Sequence, residues 1–413
     1  QLVPPSTPAG LGGLLVGAPA VDSATGRVIV AVDQTGGPFV VALNETTGAT
    51  LWTSAPVDSV ADGPWGAVSG DNAGPTVANG KVFLGFYGSE FTPDARGGFV
   101  ILDEATGARL AHTYTIPDAD WALGYRGASI WATAAIDTVG GYAYVGSGNP
   151  GGHPAPGTYS QFPQCAGTLP GQPCNAAIEH PNSDAILKID FDQTRTATFG
   201  KIVGVYNGQP DSYVAGVANQ PACANAGQVE LGVGGDGVNG WSVACFQLDL
   251  DFGASPNLFA GTGGLVVGEL QKSGVYHAID AGTMTAAWTT PIGGPCAACN
   301  AASTAVDGAG IYGEGTPGGV MVSLSRTGAY RWGTPVGDGA HYESTSTANG
   351  VAYTIDNAGS LDAFDTTSGL MLLKHPLAAD VGQPVSDFSS AGVAIARHTV
   401  YAAESGYIVA YGL

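Results

Sequence analysis

The stretch VILDEATGARL at residues 100–110 contains the pattern that decides the fold of this chain. An apolar strand leads into a polar turn that a small residue closes, and a second strand follows. Four further copies are VALNETTGATLW at 41–52, HAIDAGTMTAAW at 277–288, VSLSRTGAYRW at 322–332 and DAFDTTSGLMLL at 362–373. The copies return roughly every 40 to 60 residues, a period typical of β-propeller blades. Because one such unit cannot bury its own apolar face, it must stack on its neighbours, and the repeat predicts an all-β propeller of four-stranded blades.

The same pattern, followed along the chain, predicts seven blades in a single domain that spans residues 1–413. Their strands are rich in β-branched and aromatic residues, as in KVFLGFYG at 81–88 and HTVYAAE at 398–404. We place the blades near 12–55, 68–115, 128–206, 251–292, 299–336, 341–376 and 385–413. The last blade is one strand short, and residues 1–11 are the candidate supplier of that strand.

Composition fits short strands joined by tight turns, and it excludes two classes of partner. The chain has 65 glycines and 26 prolines, and only 11% of its residues are charged. Its 34 acidic and 13 basic side chains give a formal net charge of −21. This excess argues against binding to nucleic acid, which requires a basic surface. No apolar run reaches the roughly 18 residues of a membrane span, so we expect neither partner.

Two insertions, at about 149–182 and 206–247, interrupt the repeat. Six cysteines fall in three local pairs: Cys165 with Cys174, Cys223 with Cys245, and Cys296 with Cys299. Close pairs in loops rich in glycine and proline predict disulfides of an oxidising compartment. Zinc is the alternative, but the seven histidines do not cluster near the cysteines with ligand spacing. We expect the insertions to form a disulfide-stapled cover on one face. Because the chain begins at Gln1 without a charged, apolar leader, we also expect a secreted location, extracellular or periplasmic.

Four local stretches carry a resemblance to a known family. They are GFYGSEFTPDARGGFVILDEATG at 85–107, IWATAAIDTVGGYAYVGSGNP at 130–150, LDLDFGASP at 248–256 and LQKSG at 270–274. Together they resemble the quinoprotein alcohol dehydrogenases, propellers that carry pyrroloquinoline quinone (PQQ) on their axis with a calcium ion. The likeness is greatest to the polyvinyl alcohol dehydrogenase-like branch. Relatives usually have eight blades, so the chain is either a seven-bladed relative or lacks a blade upstream of Gln1.

The resemblance implies a role for five residues. Trp131 matches the tryptophan on which the quinone ring stacks, and Glu90 and Asn149 match two protein ligands of calcium. Asp251 matches an aspartate that acts as general base or as a further calcium ligand. Lys272 stands where relatives have arginine or lysine, beside the quinone oxygens. These residue types suit the chemistry, because calcium prefers oxygen ligands and a flat indole suits a flat cofactor.

Each of these residues also has a structural interpretation, and that of Glu90 is a loop cap. Trp131 is of a type usually found in the core, and Asn149 before Pro150 is an ordinary turn initiator. Asp251 is able to bond its own turn, and Lys272 can belong to a simple hairpin. Two functions therefore stay open. One is a secreted quinone-dependent dehydrogenase that oxidises a small or polymeric alcohol or polyol and passes electrons to an external acceptor. The other is a non-catalytic propeller that acts as a binding or assembly scaffold.

Overall fold

The structure is a computed structural model that describes most of the chain. The described residues are 14–34, 37–63, 69–70, 73–88, 96–151, 180–209, 229–231, 246–248, 250–294, 302–315, 319–337, 343–385, 392–404 and 406–412. They fall in two compact units, residues 1–251 and 252–413. The six cysteines, Glu90 and residues 1–11 lie outside the described ranges. The disulfides, the cover, the added strand and the single domain therefore stay predictions.

The first unit contains, in its described residues, three antiparallel sheets whose main strands follow chain order. The first sheet comprises β1 (Leu14–Asp22), β2 (Arg27–Gln34), β3 (Gly37–Asn44) and β4 (Thr50–Thr53). The second comprises β6 (Thr76–Ala78), β7 (Lys81–Gly88), β8 (Gly98–Asp103) and β9 (Arg109–Tyr114), with the short β5 (Ser69–Gly70) paired to β7. The third comprises β11 (Ala135–Asp137), β12 (Tyr142–Gly146), β14 (Ala185–Asp190) and β15 (Ile202–Asn207).

Shorter elements accompany these sheets. The helix α1 (Asp118–Leu123) and the strand β10 (Arg126–Gly127) lie between the second and third sheets. β10 pairs with β13 (Pro150–Gly151), which follows β12. A parallel pair, β16 (Val229–Leu231) and β17 (Phe246–Leu248), lies later in the chain. The β10–β13 pair positions the candidate site, because it sets the chain entering the third sheet against the chain leaving β12.

The second unit continues the same pattern with four sheets among its described residues. The first comprises β18 (Asn257–Ala260), β19 (Leu265–Leu270), β20 (Val275–Asp280) and β21 (Thr285–Pro291). The next comprises β22 (Ala305–Val306), β23 (Ile311–Gly315), β24 (Val320–Leu324) and β25 (Tyr330–Pro335). Then follow β26 (Ser346–Ala348), β27 (Val351–Ile355), β28 (Ser360–Asp365), β29 (Met371–Pro376) and the helix α2 (Ala378–Val381). The last comprises β30 (Val393–Ala396), β31 (Thr399–Glu404) and β32 (Tyr407–Gly412).

These sheets are the seven blades of a β-propeller, and they confirm the fold predicted from the repeat. Within the described residues, six blades have at least four strands and the seventh has three. The only helices there are α1 and α2. Neither of them is long and apolar enough to cross a membrane.

The apolar core of each unit lies between neighbouring blades. Ile29 of β2 packs with Val82 of β7 in the core between the first two blades. Phe83, the next residue of β7, packs with Leu187 of β14 in the core between the second and third. Because side chains alternate across a strand, a middle strand is buried on both faces, and its sequence reads as a continuous apolar run. The outer strands β4 and β21 are mostly exposed.

The polar turn of the repeated phrase is built by local hydrogen bonds. In VILDEATGARL, Asp103 Oδ1 accepts bonds from the backbone N of Thr106 (2.9 Å) and from its hydroxyl (2.7 Å). The backbone N of Gly107 donates to the Asp103 carbonyl at 2.8 Å, with φ of 73°. Asn44, Asp280 and Asp365 accept the corresponding bonds in their own copies. The phrase thus encodes a turn that is stabilised by side-chain hydrogen bonds. The residue that closes the turn adopts the left-handed backbone conformation and is usually a glycine.

The tryptophan at the end of the phrase joins one blade to the next. Trp52 Nε1 donates to the carbonyl oxygen of Glu104 at 3.0 Å. A Cβ atom on Gly107 would lie 2.5 Å from the Trp52 ring, so the ring covers this glycine. Trp288 covers Gly328, and Trp332 covers Gly369, in the same way. Glycine is therefore required at this turn by its φ and also by the approach of the ring.

Candidate functional site

The candidate residues lie at equivalent ends of their blades. In an antiparallel blade the second strand ends where the first begins, so the loops at these two points share one end. Asn149 follows β12 and Lys272 follows β19, the second strands of the third and fourth blades. Trp131 precedes β11 and Asp251 precedes β18, the first strands of the same blades. Residues that are far apart in the sequence therefore occupy corresponding positions in their blades, because the blades repeat.

Trp131 and Asp251 form a direct hydrogen bond in the first unit. Trp131 Nε1 donates to Asp251 Oδ2 at 2.9 Å, across 120 positions of sequence. Asp251 is only 1% exposed, whereas Trp131 is half-buried. A bond from an N–H group to a carboxylate is stronger than one between neutral groups, and burial removes the competition of water. The structure therefore brings together the predicted ring platform and the predicted carboxylate.

Gly148 packs against this hydrogen bond. A Cβ atom on Gly148 would lie 3.3 Å from Trp131 Nε1 and 3.4 Å from Asp251 Oδ2. The residue is buried and its φ is not in the left-handed region, so space rather than backbone geometry favours glycine here. The absence of a side chain lets the Gly148 backbone approach the indole N–H group and the carboxylate closely. Sequence reasoning did not single out Gly148, although it lies in the quoted stretch at 130–150.

Backbone hydrogen bonds fix the segment that contains Gly148 and Asn149. Gly148 N donates to the Ser129 carbonyl at 2.8 Å, and Ala128 N donates to the Asn149 carbonyl at 2.8 Å. On the other side, Asp184 N donates to the Gly148 carbonyl at 3.1 Å. Ala128 and Asp184 have φ of 53° and 45°, a left-handed conformation that is unfavourable for residues other than glycine. Strained residues of this kind concentrate at functional sites.

The side-chain amide of Asn149 is buried without a hydrogen-bond partner. The residue is 3% exposed, and neither Oδ1 nor Nδ2 makes a hydrogen bond among the described residues. Such groups are rare in folded proteins, and each costs about 1–3 kcal/mol relative to a paired one. A bound group that engages the amide would remove this cost. An amide oxygen is a ligand type that suits a hard cation such as calcium.

Lys272 lies in a tight turn of the second unit. Gly274 N donates to the Gln271 carbonyl at 2.9 Å, and the Ser273 hydroxyl donates to Gln271 Oε1 at 2.8 Å. His277 Nε2 lies 3.1 Å from the same Oε1. Burial lowers the pKa of His277 to about 4, so this histidine is neutral near pH 7. Lys272 itself is 6% exposed, and a buried ammonium group is uncommon in a plain hairpin.

A second polar group lies apart from these residues, in the first unit. Asp58, Asp62 and His112 have ligand atoms within 4.8 Å of one another, a spacing that suits a metal ion. Asp58 Oδ1 already lies 3.1 Å from His112 Nε2 and accepts a bond from the Tyr114 hydroxyl at 2.9 Å. Both oxygens of Asp62 are engaged by Arg109, at 2.7 and 3.1 Å. We interpret the group as an ion-pair network.

The predicted site residues therefore have different outcomes. Trp131, Asn149 and Asp251 lie in the first unit, where Trp131 and Asp251 are hydrogen-bonded and Asn149 follows Gly148, which packs against that bond. Lys272 lies in the second unit, and Glu90 lies outside the described residues. The metal, catalytic and cofactor-binding roles of all five residues stay predictions. The hydrogen bond from Asp184 N to the Gly148 carbonyl is not visible in the sequence, because it joins segments that are distant in the chain.

Comparisons with known proteins identify the class of fold. Residues 236–411 match the family model PQQ_2, described as outer membrane protein assembly factor BamB. No curated protein is similar enough in sequence to match the chain. The chain shares the fold of PQQ-like β-propellers, and the match of residues 236–411 supports the resemblance seen in the sequence. The more specific likeness to the polyvinyl alcohol dehydrogenase branch stays a prediction.

Solved structures with the same fold include both enzymes and an assembly factor. BamB from Moraxella catarrhalis has a TM-score of 0.55 and 13% identity, over 96% of this chain and 84% of that chain. A europium-containing methanol dehydrogenase has a TM-score of 0.63 and 14% identity, over 94% and 73%. A quinohemoprotein alcohol dehydrogenase from Pseudomonas putida has a TM-score of 0.59 and 16% identity, over 94% and 61%. Identities of this size establish the fold alone.

Proposed function

We propose that the chain is a quinone-dependent dehydrogenase that oxidises an alcohol or polyol with PQQ and calcium. The observation that supports this most is the buried amide of Asn149, which has no hydrogen-bond partner among the described residues and follows Gly148, the residue packed against the Trp131–Asp251 hydrogen bond. The alcohol dehydrogenases of the same fold add support. A carboxylate, an amide oxygen and a flat ring are the groups that a quinone with a metal ion requires.

Five residues would hold the cofactor. The oxygens of Asn149, Asp251 and Glu90 would bind calcium, Trp131 would form the surface under the ring, and Lys272 would lie near the quinone oxygens. When bound, the quinone would accept the two electrons of alcohol oxidation, with calcium polarising its carbonyl. The chain contains no Cys-x-x-Cys-His haem motif, so the electrons would pass to an external acceptor.

The protein side chains would supply the proton chemistry and the electrostatics. Asp251 would accept the proton of the substrate hydroxyl as a general base. Its burial excludes water, and the Trp131 N–H group holds one of its oxygens in place. Lys272 would stabilise negative charge that develops during reduction. The substrate would be a small or polymeric alcohol, and we propose a location outside the cytoplasm, in line with the paired cysteines.

Reconstitution tests the proposal. We expect the protein, incubated with PQQ and calcium, to acquire quinone absorbance and to oxidise alcohols in a dye-linked assay. Asp251→Asn should abolish turnover and retain cofactor binding. A control is Glu45→Gln, which alters an exposed carboxylate that, among the described residues, only accepts a bond from the Ser23 hydroxyl at 3.3 Å and should leave both unchanged. Turnover by Asp251→Asn at the wild-type rate would remove this residue from its role.

A second function, a non-catalytic scaffold, has one specific observation in its favour. The family model that matches residues 236–411 is described as an outer membrane protein assembly factor, and a BamB structure shares the fold. A scaffold predicts no binding of PQQ by folded protein. A quinone titration of protein whose circular dichroism is native therefore separates the two functions.

A further inference from the structure

Trp131 has two chemical features, a flat ring and an N–H group, and the proposed cofactor would use only the ring. The N–H group is directed at Asp251, whose Oδ2 accepts its hydrogen bond at 2.9 Å. A phenylalanine or a leucine at this position would lack the donor. The two features are therefore separable by mutation.

We propose that Trp131 is a positioning residue that orients the Asp251 carboxylate for proton transfer. This role is additional to that of a ring platform, and it rests on the proposed dehydrogenase function. The hydrogen bond commits one carboxylate oxygen to the indole. This bond restricts the orientation of the carboxylate.

The backbone just before the indole donor is fixed by hydrogen bonds. Just before Trp131, the Ala128 N and Ser129 carbonyl groups bond the backbone of Asn149 and Gly148, each at 2.8 Å. The segment that carries the indole and the segment that carries Asn149 are therefore one hydrogen-bonded assembly. The Trp131 N–H group, carried by this assembly, therefore ties Asp251 to it.

The surroundings of Asp251 make this one bond important. The carboxylate is 1% exposed, so bulk water does not compete with the indole. Gly148 lies against the bond, and a Cβ atom there would be 3.3–3.4 Å from both of its atoms. A carboxylate that loses a buried donor either rotates or stays poorly solvated. Either change would misplace a general base.

Three variants separate orientation from ring stacking. Trp131→Phe keeps a flat ring and removes the donor, whereas Trp131→Leu removes both. Trp52→Phe is the control, because Trp52 Nε1 donates to the Glu104 carbonyl between the first two blades. This control should lower thermal stability and leave quinone affinity and kcat unchanged.

The first readout needs neither cofactor nor turnover. The indole ¹⁵N–¹H signal of Trp131, assigned by its loss in Trp131→Phe, should move upfield in Asp251→Ala. Asp251→Asn, which keeps the volume of the side chain, should move it in the same direction by less. A signal that stays in place in both variants would overturn the proposal, because it would show that the bond does not form in solution.

The second readout is kinetic. We expect Trp131→Phe to bind PQQ with calcium at close to wild-type affinity and to lose about 10- to 100-fold in kcat, the usual effect of removing a group that orients a reactive residue. Trp131→Leu should lose cofactor affinity as well. Wild-type kcat in quinone-loaded Trp131→Phe would overturn the positioning role. If wild-type protein binds no quinone although the indole signal moves, the dehydrogenase function fails, and the positioning role fails with it.

Discussion

The ring of Trp52 in the first blade covers Gly107 in the second, and a Cβ atom on Gly107 would lie 2.5 Å from that ring. The same relationship recurs between Trp288 and Gly328 and between Trp332 and Gly369. Both partners belong to the repeated phrase, and the copy at 322–332 supplies Trp332 to one junction and Gly328 to another. The repeat therefore determines blade packing at these junctions as well as the turn.

We predict that Gly107→Ala destabilises the protein more than Gly48→Ala. Both glycines close the same turn with φ of 73° and 69°, so both substitutions carry the left-handed penalty of about 1–2 kcal/mol. A Cβ atom on Gly48 would meet no other atom within 4 Å, whereas Gly107 lies under Trp52. We expect an additional loss of about 1–3 kcal/mol at Gly107. Equal free energies of unfolding, measured with denaturant, would show that the ring contact does not constrain the turn.

We predict that Asn149→Leu stabilises the protein without ligand. Replacing an unpartnered buried amide by an apolar side chain of similar size removes a desolvation penalty of about 1–3 kcal/mol. Asn182→Leu is the matched control, because Asn182 Nδ2 donates to the Thr115 carbonyl at 2.7 Å and its loss should destabilise. The measurement is the free energy of unfolding. A loss of stability in both variants would mean that the Asn149 amide is satisfied in solution.

We predict that His277 makes the protein less stable as the pH falls from about 6.5 to 4. Burial lowers the pKa of this histidine to about 4, below its ordinary value of 6.5, so the unfolded chain binds the proton first. The contribution of neutral His277 to the free energy of unfolding is fully present above pH 6.5. About 3 kcal/mol of it is lost as the pH falls from 6.5 through 4. His277→Gln should lack this part of the pH dependence, and exposed His398→Gln should retain it. Parallel curves for wild type and His277→Gln would contradict the assignment.

We predict that Gly148→Ala weakens cofactor binding while the fold is retained. The added methyl group would lie 3.3–3.4 Å from Trp131 Nε1 and Asp251 Oδ2, a close but tolerable contact. It would occupy the space beside these two atoms. We expect native circular dichroism and a loss of quinone affinity of about tenfold or more. Wild-type affinity in this variant would place the cofactor away from Gly148.

Local chemistry explains why the sequence predicted the fold well. The turn in VILDEATGARL depends on Asp103, Thr106 and Gly107, which are neighbours in the chain, so their pattern is visible without a structure. One copy departs from the glycine rule, because Met284 adopts φ of 56°. Its side chain is buried, and the free energy gained by burying it, about 1.5–3 kcal/mol, offsets the cost of the left-handed backbone conformation.

The site was predicted only in part, because its contacts join distant segments. The quoted stretches contain Trp131 and Asp251, but their hydrogen bond spans 120 positions and depends on how the blades are arranged. Gly148 is important because a side chain there would crowd Trp131 and Asp251, and the sequence alone does not show that these residues lie close to it. The unpartnered state of Asn149 is likewise a property of the folded protein.

The most direct test of the dehydrogenase function is an equilibrium titration of the purified protein with PQQ in the presence of calcium, followed by quinone absorbance. For wild-type protein we expect saturable binding of one quinone per chain. For Asn149→Leu we expect an affinity weaker by about tenfold or more, although this variant is the more stable protein. Absence of saturable binding by folded wild-type protein, or equal affinity in the two proteins, would contradict a quinone site at Asn149, Trp131 and Asp251.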